Sequence, residues 1–254
     1  DASWVYFGRH LLPGGSSENG TAPTIDLLQA ALAAGPVQLQ YGFSAIGTGV
    51  DSLSWKDVET VNAKGGINPD MLVYLNGTEY AGGGSADTFY ADLSSWTEGV
   101  SWTNNKNVNN AGISDEAVTL LGATHQVKVS GMERLLLLTG SGNDSIVQNV
   151  VGTNDEFRLG DGNDSLTLTA GTTTANGGSD RIDLGAGNDT LVMSGTSVND
   201  TIVLGAGNDT ATISGQIGVS TLDGGIAEND TLNFDGAISG VAKYMAFGVQ
   251  KADA

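Results

Sequence analysis

Leu184-Gly-Ala-Gly-Asn-Asp-Thr-Leu191 and Leu204-Gly-Ala-Gly-Asn-Asp-Thr-Ala211 are the same phrase with one residue changed. It also stands in Leu159-Gly-Asp-Gly-Asn-Asp-Ser-Leu166 and Thr139-Gly-Ser-Gly-Asn-Asp-Ser-Ile146. Weaker copies lie between them, ending in Asp155-Glu-Phe157, Asp180-Arg-Ile182 and Asp200-Thr-Ile202, each nine residues before the aspartate of a strong copy. Strong aspartates recur every 20 to 25 residues, the length of one solenoid coil made of two turn-plus-strand halves. The longer step contains the insertion Gly171-Thr-Thr-Thr-Ala175. After each aspartate the residues alternate apolar and polar, as in Ser165-Leu-Thr-Leu-Thr169, which is the period of a half-buried strand. Ile146, Phe157, Leu166, Leu168, Ile182, Leu184, Leu191, Met193, Ile202, Leu204 and Ile213 are expected inside, with Thr167, Thr169, Asp183 and Thr212 facing water.

Composition narrows the function classes. The 254 residues hold 29 Asp+Glu against 10 Lys+Arg, a net charge of −19, which repels phosphate backbones and anionic membranes and attracts cations. Nucleic acid is not an expected partner. The 38 glycines accompany 39% apolar residues, too many for a disordered linker. The absence of cysteine removes disulfides and thiolate metal sites, so stapling has to come from packing or from hard cations. No apolar run is long enough to span a bilayer, and Asp1-Ala-Ser-Trp-Val-Tyr-Phe does not read as a signal peptide.

A looser repeat surrounds the array. Phe43-Ser-Ala-Ile-Gly-Thr-Gly-Val50, Leu93-Ser-Ser-Trp-Thr-Glu-Gly-Val100 and Phe234-Asp-Gly-Ala-Ile-Ser-Gly-Val241 open similar modules. Glu59 precedes Asp70 by the same eleven residues that separate Glu133 from Asp144. Gly82-Gly-Gly-Ser-Ala-Asp-Thr-Phe89 adds another aspartate loop. The third module reaches its second element near Val249 and stops before any aspartate loop, which reads as a piece of a longer array. Trp4 to Leu12 reads as a strand, and Thr24 to Ala34 as a short helix with Thr24 as N-cap and Gly35-Pro36 as a stop. Residues 101–126, around Asn104-Asn-Lys-Asn-Val-Asn-Asn110, read as a loop breaking the solenoid. The chain thus divides into 1–64, a β-rich region of unassigned role; 65–138, a degenerate solenoid-like module; 139–235, the repeat array; and 236–254, a further module's start or a cap.

Calcium takes six to eight oxygens, mostly carboxylate and main-chain carbonyl, and glycine lets a tight loop turn its carbonyls inward. Coils stacked about 4.8 Å apart can share one ion between neighbouring loops. The pattern Gly-Gly-x-Gly-x-Asp-x-apolar-x resembles the nonapeptide of the RTX, or haemolysin-type, calcium-binding β-roll family, well over 139–235 and loosely over 65–92. The resemblance implies an all-β parallel β-roll whose calcium ligands are Asp144, Asp164, Asp189 and Asp209. With them go the carbonyls of Gly140, Gly142, Gly160, Gly162, Gly185, Gly187, Gly205 and Gly207. Asp155, Asp180 and Asp200 follow loops that depart from the glycine pattern; they, with Asp70, Asp87 and Asp230, are weaker candidates for the same ion. Asn143-Asp-Ser and Asn188-Asp-Thr match a glycosylation sequon but read as by-products of the repeat.

The resemblance further implies a secreted or cell-surface protein of a Gram-negative bacterium. The function expected is a calcium-binding structural or adhesive module that folds on calcium binding. The alternative is a calcium-dependent lectin-like or peptide-binding domain carried on the roll. Beyond calcium, neighbouring repeats or like subunits in a surface assembly are the partners open to it. His10 and His125 are the only histidines, lie far apart in sequence and adjoin no nucleophile motif, so no enzyme is expected. Trp55, Trp96 and Trp102 read as core rather than as a sugar platform.

Overall fold

The structure, a computed structural model, describes residues 24–33, 39–41, 51–53, 60, 62–65, 71–83, 87–104, 117–122, 124–150, 154–170, 178–197, 199–217, 220–225 and 229–235. The strand expected over 4–12, the stop at 35–36, the Asp70 loop, the insertion 171–175, Trp55, His10 and residues 236–254 lie outside this set.

Among the described residues the fold is all-β, with mostly parallel strands and one short helix, α1 (Ile25–Ala33). Strands β1 (Leu39–Tyr41) and β2 (Asp51–Leu53) make a separate antiparallel pair. Then follow β3 (Ala63–Lys64), β4 (Met71–Val73), β5 (Glu79–Ala81), β6 (Thr88–Asp92), β7 (Ser101–Asn104), β8 (Ala117–Leu121), β9 (Gln126–Ser130) and β10 (Arg134–Leu138). The repeat supplies β11 (Ser145–Val150), β12 (Glu156–Arg158), β13 (Ser165–Ala170), β14 (Arg181–Asp183), β15 (Thr190–Ser197), β16 (Thr201–Val203), β17 (Thr210–Ile217), β18 (Thr221–Asp223) and β19 (Thr231–Asp235).

Two sheets share these strands. From β10 onward the chain alternates between them at every turn. Strands β4 and β6 and the even-numbered strands from β10 onward form an all-parallel sheet in the order β18-β16-β14-β12-β10-β6-β4. The other sheet runs β19-β17-β15-β13-β11-β7-β8-β9-β5-β3. Because β10 pairs with β6 on one side and β12 on the other, the seven-stranded sheet crosses residue 138 without a break.

The alternation of the repeat sets what is buried. All eleven side chains expected inside are buried, while Thr167, Thr169 and Thr212 are half-exposed and Asp183 is exposed. They stack in columns such as Ile146, Leu166, Leu191 and Ala211, and Phe157, Ile182 and Ile202. Each buried aliphatic or aromatic side chain contributes on the order of 1.5–3 kcal/mol. Upstream the core turns aromatic, with Phe89 stacked on Trp102 at 6.0 Å and packed on Tyr80 at 5.3 Å. Trp102 aligns with Ile146, and its indole N–H donates to Gln148 Oε1 at 2.8 Å, which explains a buried glutamine in register with Leu168.

The described part of 101–126 differs from the expected loop at 101–104 and 117–122, while 105–116, with most of the asparagine run, lies outside the described residues. β7 and β8 are strands, β8 antiparallel to both β7 and β9, so a meander is inserted into the ten-stranded sheet. The asparagine run drew the reading toward a loop, but Ser101-Trp-Thr-Asn104 alternates exposed and buried like any strand.

The outer face of the seven-stranded sheet positions α1. Along one outward column Val73, Tyr90 and Leu136 are buried, and the column turns polar at Glu156, Arg181 and Thr201. At that boundary the Ile25 N–H donates to Glu156 Oε2 at 2.9 Å, and Arg158 bridges Asp26 at 2.8 Å and Glu156 at 2.7 Å. Gln29 reaches Asp92 at 3.3 Å, and Thr24 caps the helix, accepting the Leu27 N–H at 3.4 Å. Ile25 and Leu28 are buried, so the helix seals its apolar stripe here.

Candidate functional site

The turns between the two sheets lie along two edges. Asp144, Asp164, Asp189, Asp209 and Asp230 open strands of the ten-stranded sheet and share the first edge; Asp155, Asp180 and Asp200 open strands of the other and share the second. On the first edge each carboxylate reaches back one coil. Asp164 Oδ1 accepts the main-chain N–H of Asp144 at 2.8 Å, Asp189 that of Asp164 at 2.7 Å, Asp209 that of Asp189 at 2.8 Å and Asp230 that of Asp209 at 3.0 Å. Asp144 does the same to Val100 at 2.6 Å. Asparagine stitches in the opposite direction. Asn143, Asn163 and Asn188 each accept, through Oδ1, the N–H of the asparagine one coil on, at 2.7–2.8 Å.

These hydrogen bonds use one oxygen of each aspartate. Among the described residues the second oxygen, Oδ2, of Asp144, Asp164, Asp189 and Asp209 is buried and has no hydrogen-bond partner. An unpaired buried carboxylate oxygen is costly, which calls for a proton or a cation. Burial pushes Asp164 up to about 7, with Asp144, Asp189 and Asp161 adding repulsion, and pushes Asp189 up to about 6, with Asp209 adding to it. Asp144 and Asp209 move the same way, again chiefly through burial. Asp230 is exposed.

The loop glycines form two further columns. Gly185 and Gly187 have φ of 93° and 147°, and a β-carbon on them would meet the carbonyl oxygens of Gly160 and Gly162 at 1.8 and 1.6 Å. Only glycine allows such stacking. The carbonyls of Gly140, Gly160 and Gly185 accept the N–H groups of Asp161, Ala186 and Ala206 at 2.8–2.9 Å, so each already serves the inter-coil ladder with one lone pair. Gly142, Gly162, Gly187, Gly205 and Gly207 belong to the same stack.

The second edge has the same back-reach with different surroundings. Asp155 Oδ1 accepts the Leu135 N–H at 2.7 Å, Asp180 that of Asp155 at 2.8 Å and Asp200 that of Asp180 at 3.0 Å. Among the described residues no oxygen of Asp155, Asp180 or Asp200 is buried without a partner. Burial, with Asp155 and Asp200 alongside, pushes Asp180 up to about 8, and Arg134 pulls against that shift. Asp87 is buried on this edge, and its N–H donates to Glu133 Oε2 at 2.9 Å. Glu133 thus stands where an aspartate stands elsewhere. Sequence reasoning used Glu133 only as a module marker and gave the loop asparagines no role of their own; the strict recurrence of asparagine before the strong aspartates was the signal for one.

Trp102 is buried in the core, while Trp96 is half-buried against His125 at 4.7 Å. Among the described residues no three His, Cys, Asp or Glu side chains gather into a chelating group. The first edge offers a different donor set, one carboxylate per loop among stacked glycine carbonyls. That set fits a hard, oxygen-seeking cation, and the unpaired Oδ2 atoms are where its charge is needed. No helix among the described residues is long and apolar enough to cross a membrane. No protein-family model matches the chain, and no curated protein matches it.

Proposed function

We propose that the chain is an extracellular structural or adhesive module whose two-sheet array is a calcium-binding parallel β-roll. The observation that carries this reading is the row of four buried Oδ2 atoms without partners, all in glycine-asparagine-aspartate turns of one edge. Asp144, Asp164, Asp189 and Asp209 would hold the ions, with glycine carbonyls completing each shell. Calcium would cancel the repulsion along the edge and add its binding free energy to folding.

Sites with few carboxylates per ion bind weakly, in the range that extracellular calcium satisfies. Together with the net charge of −19, this supports a place outside the cell. The resemblance to exported β-roll proteins supports the same place and a Gram-negative source. The inter-coil ladder supports a structural task, since holding an ion and stacking a coil become one event. We assign the chain no reaction. Circular dichroism of the full chain during a calcium titration tests the proposal. The strand signal is expected to rise cooperatively with calcium and to collapse with chelator; a signal and melting temperature indifferent to both would overturn it.

A further inference from the structure

The second edge repeats the back-reach of the first, yet leaves none of Asp155, Asp180 and Asp200 with an unpaired buried oxygen, among the described residues. Something already in the chain balances it. Arg134 opens β10, and its Nε donates to the carbonyl oxygen of Asn154, the residue before Asp155. The next main-chain N–H, that of Leu135, donates to Asp155 Oδ1. The guanidinium is therefore tethered to the loop where the aspartate column begins.

The strand register gives the reason for its place. Thr88 pairs with Arg134, which puts Asp87 beside Glu133; Leu136 pairs with Glu156, which puts Asp155 beside Leu135. The acidic column steps by two residues between Glu133 and Asp155, and Arg134 stands in the step. Its charge lies in the field of Asp155, Glu156 and Asp180, which favours the cation against the burial that disfavours it. Arg158 and Arg181 are engaged on the outer face with Asp26 and Glu156.

Resting on the calcium reading of the first edge, we infer that Arg134 is the resident counter-ion of the second edge and keeps calcium out of its Asp155–Asp180 end. A guanidinium is permanently charged and brings five fixed donors, so it serves the carbonyl and the acids together. A divalent ion placed beside it would meet a like charge.

The test uses the full chain as wild type, Arg134→Gln and Arg134→Lys. Bound calcium is counted by equilibrium dialysis with elemental analysis, and melting temperature is read in chelator. Arg134→Gln is expected to bind about one further calcium and to melt roughly 5 °C lower in chelator, while Arg134→Lys keeps the wild-type count. An unchanged count and an unchanged melting temperature in Arg134→Gln would overturn the inference. A wild type that binds no calcium sinks the calcium reading instead. The counter-ion role then stands if Arg134→Gln melts lower and adding Asp180→Asn restores it, and falls if it melts like wild type. Should Arg134→Gln not fold, the Arg134→Gln, Asp180→Asn double variant is expected to recover; failure to recover it contradicts the role.

Discussion

Asp164 and Asp180 occupy equivalent places on opposite edges: each accepts, through Oδ1, the N–H of the aspartate one coil back, at 2.8 Å. Among the described residues the other oxygen of Asp164 is buried and unpaired beside stacked glycines; at Asp180 an arginine lies in the carboxylate's field, and the preceding Gly177-Gly-Ser lacks the Gly-x-Gly spacing. The hydrogen-bonded ladder is thus common to both edges, and what differs is how its charge is balanced. The ladder builds a coil, while a cation site also needs an open oxygen and a backbone that can crowd its carbonyls.

The largest expected difference comes from the glycine stack. Gly187→Ala puts a β-carbon 1.6 Å from the Gly162 carbonyl oxygen at a φ of 147°, and that neighbour is main chain that cannot swing aside. A loss of more than about 3 kcal/mol is expected, read as a failure to fold even in excess calcium. On the second edge Asn199 already adopts a φ of 62°, so Asn199→Gly is expected to melt within a few degrees of wild type. Equal damage from both would erase the distinction between the edges.

Removing the carboxylates comes next. Asp164→Asn with Asp189→Asn is expected to raise the calcium midpoint about tenfold or more, whereas Asp155→Asn with Asp200→Asn leaves it within a factor of about three. Calorimetric titration measures both, and similar shifts would mean that the two edges share the ions.

The pH dependence sharpens the contrast further. Asp164 and Asp189 are raised in the folded state, to about 7 and about 6, so the fold binds more protons there than the unfolded chain does. Without calcium, stability is therefore greatest below the unfolded carboxylate range and falls as pH rises from about 4 toward 7. On the proposed calcium reading the ion would take the place of those protons, and melts in its presence should be nearly flat over that window. Chelated protein that gains stability as pH rises from 4 to 7 would contradict the sign.

The smallest effect concerns the asparagines. Asn163→Ala removes the acceptor of the Asn188 N–H on the first edge, and Asn154→Ala that of the Ser179 N–H on the second. Each is expected to cost about 1 kcal/mol or less, because both bonds are exposed to solvent. Only Asn163→Ala should also weaken calcium binding.

Much of this was legible in the sequence because the repeat is regular. The alternation after each aspartate named eleven inward side chains, and each is buried. Aspartates two half-coils apart fell into shared columns because a parallel ladder fixes register once coil length is fixed. What escaped was non-repetitive. The meander β7-β8-β9 interrupts the pairing order, and its pairing partners are set by tertiary contacts that no local period records. Glu133 was visible only as a module marker, its place in the acidic column hidden because the register steps by two residues there, and Arg134 escaped because a cation that balances a column distant in sequence leaves no local pattern.

The central claim is that the ions lie on one edge. Anomalous scattering from crystals grown in calcium locates them directly. The account predicts peaks beside Asp144, Asp164, Asp189 and Asp209 and none beside Asp155 and Asp180; ions spread evenly along both edges, or none on the first, would contradict it.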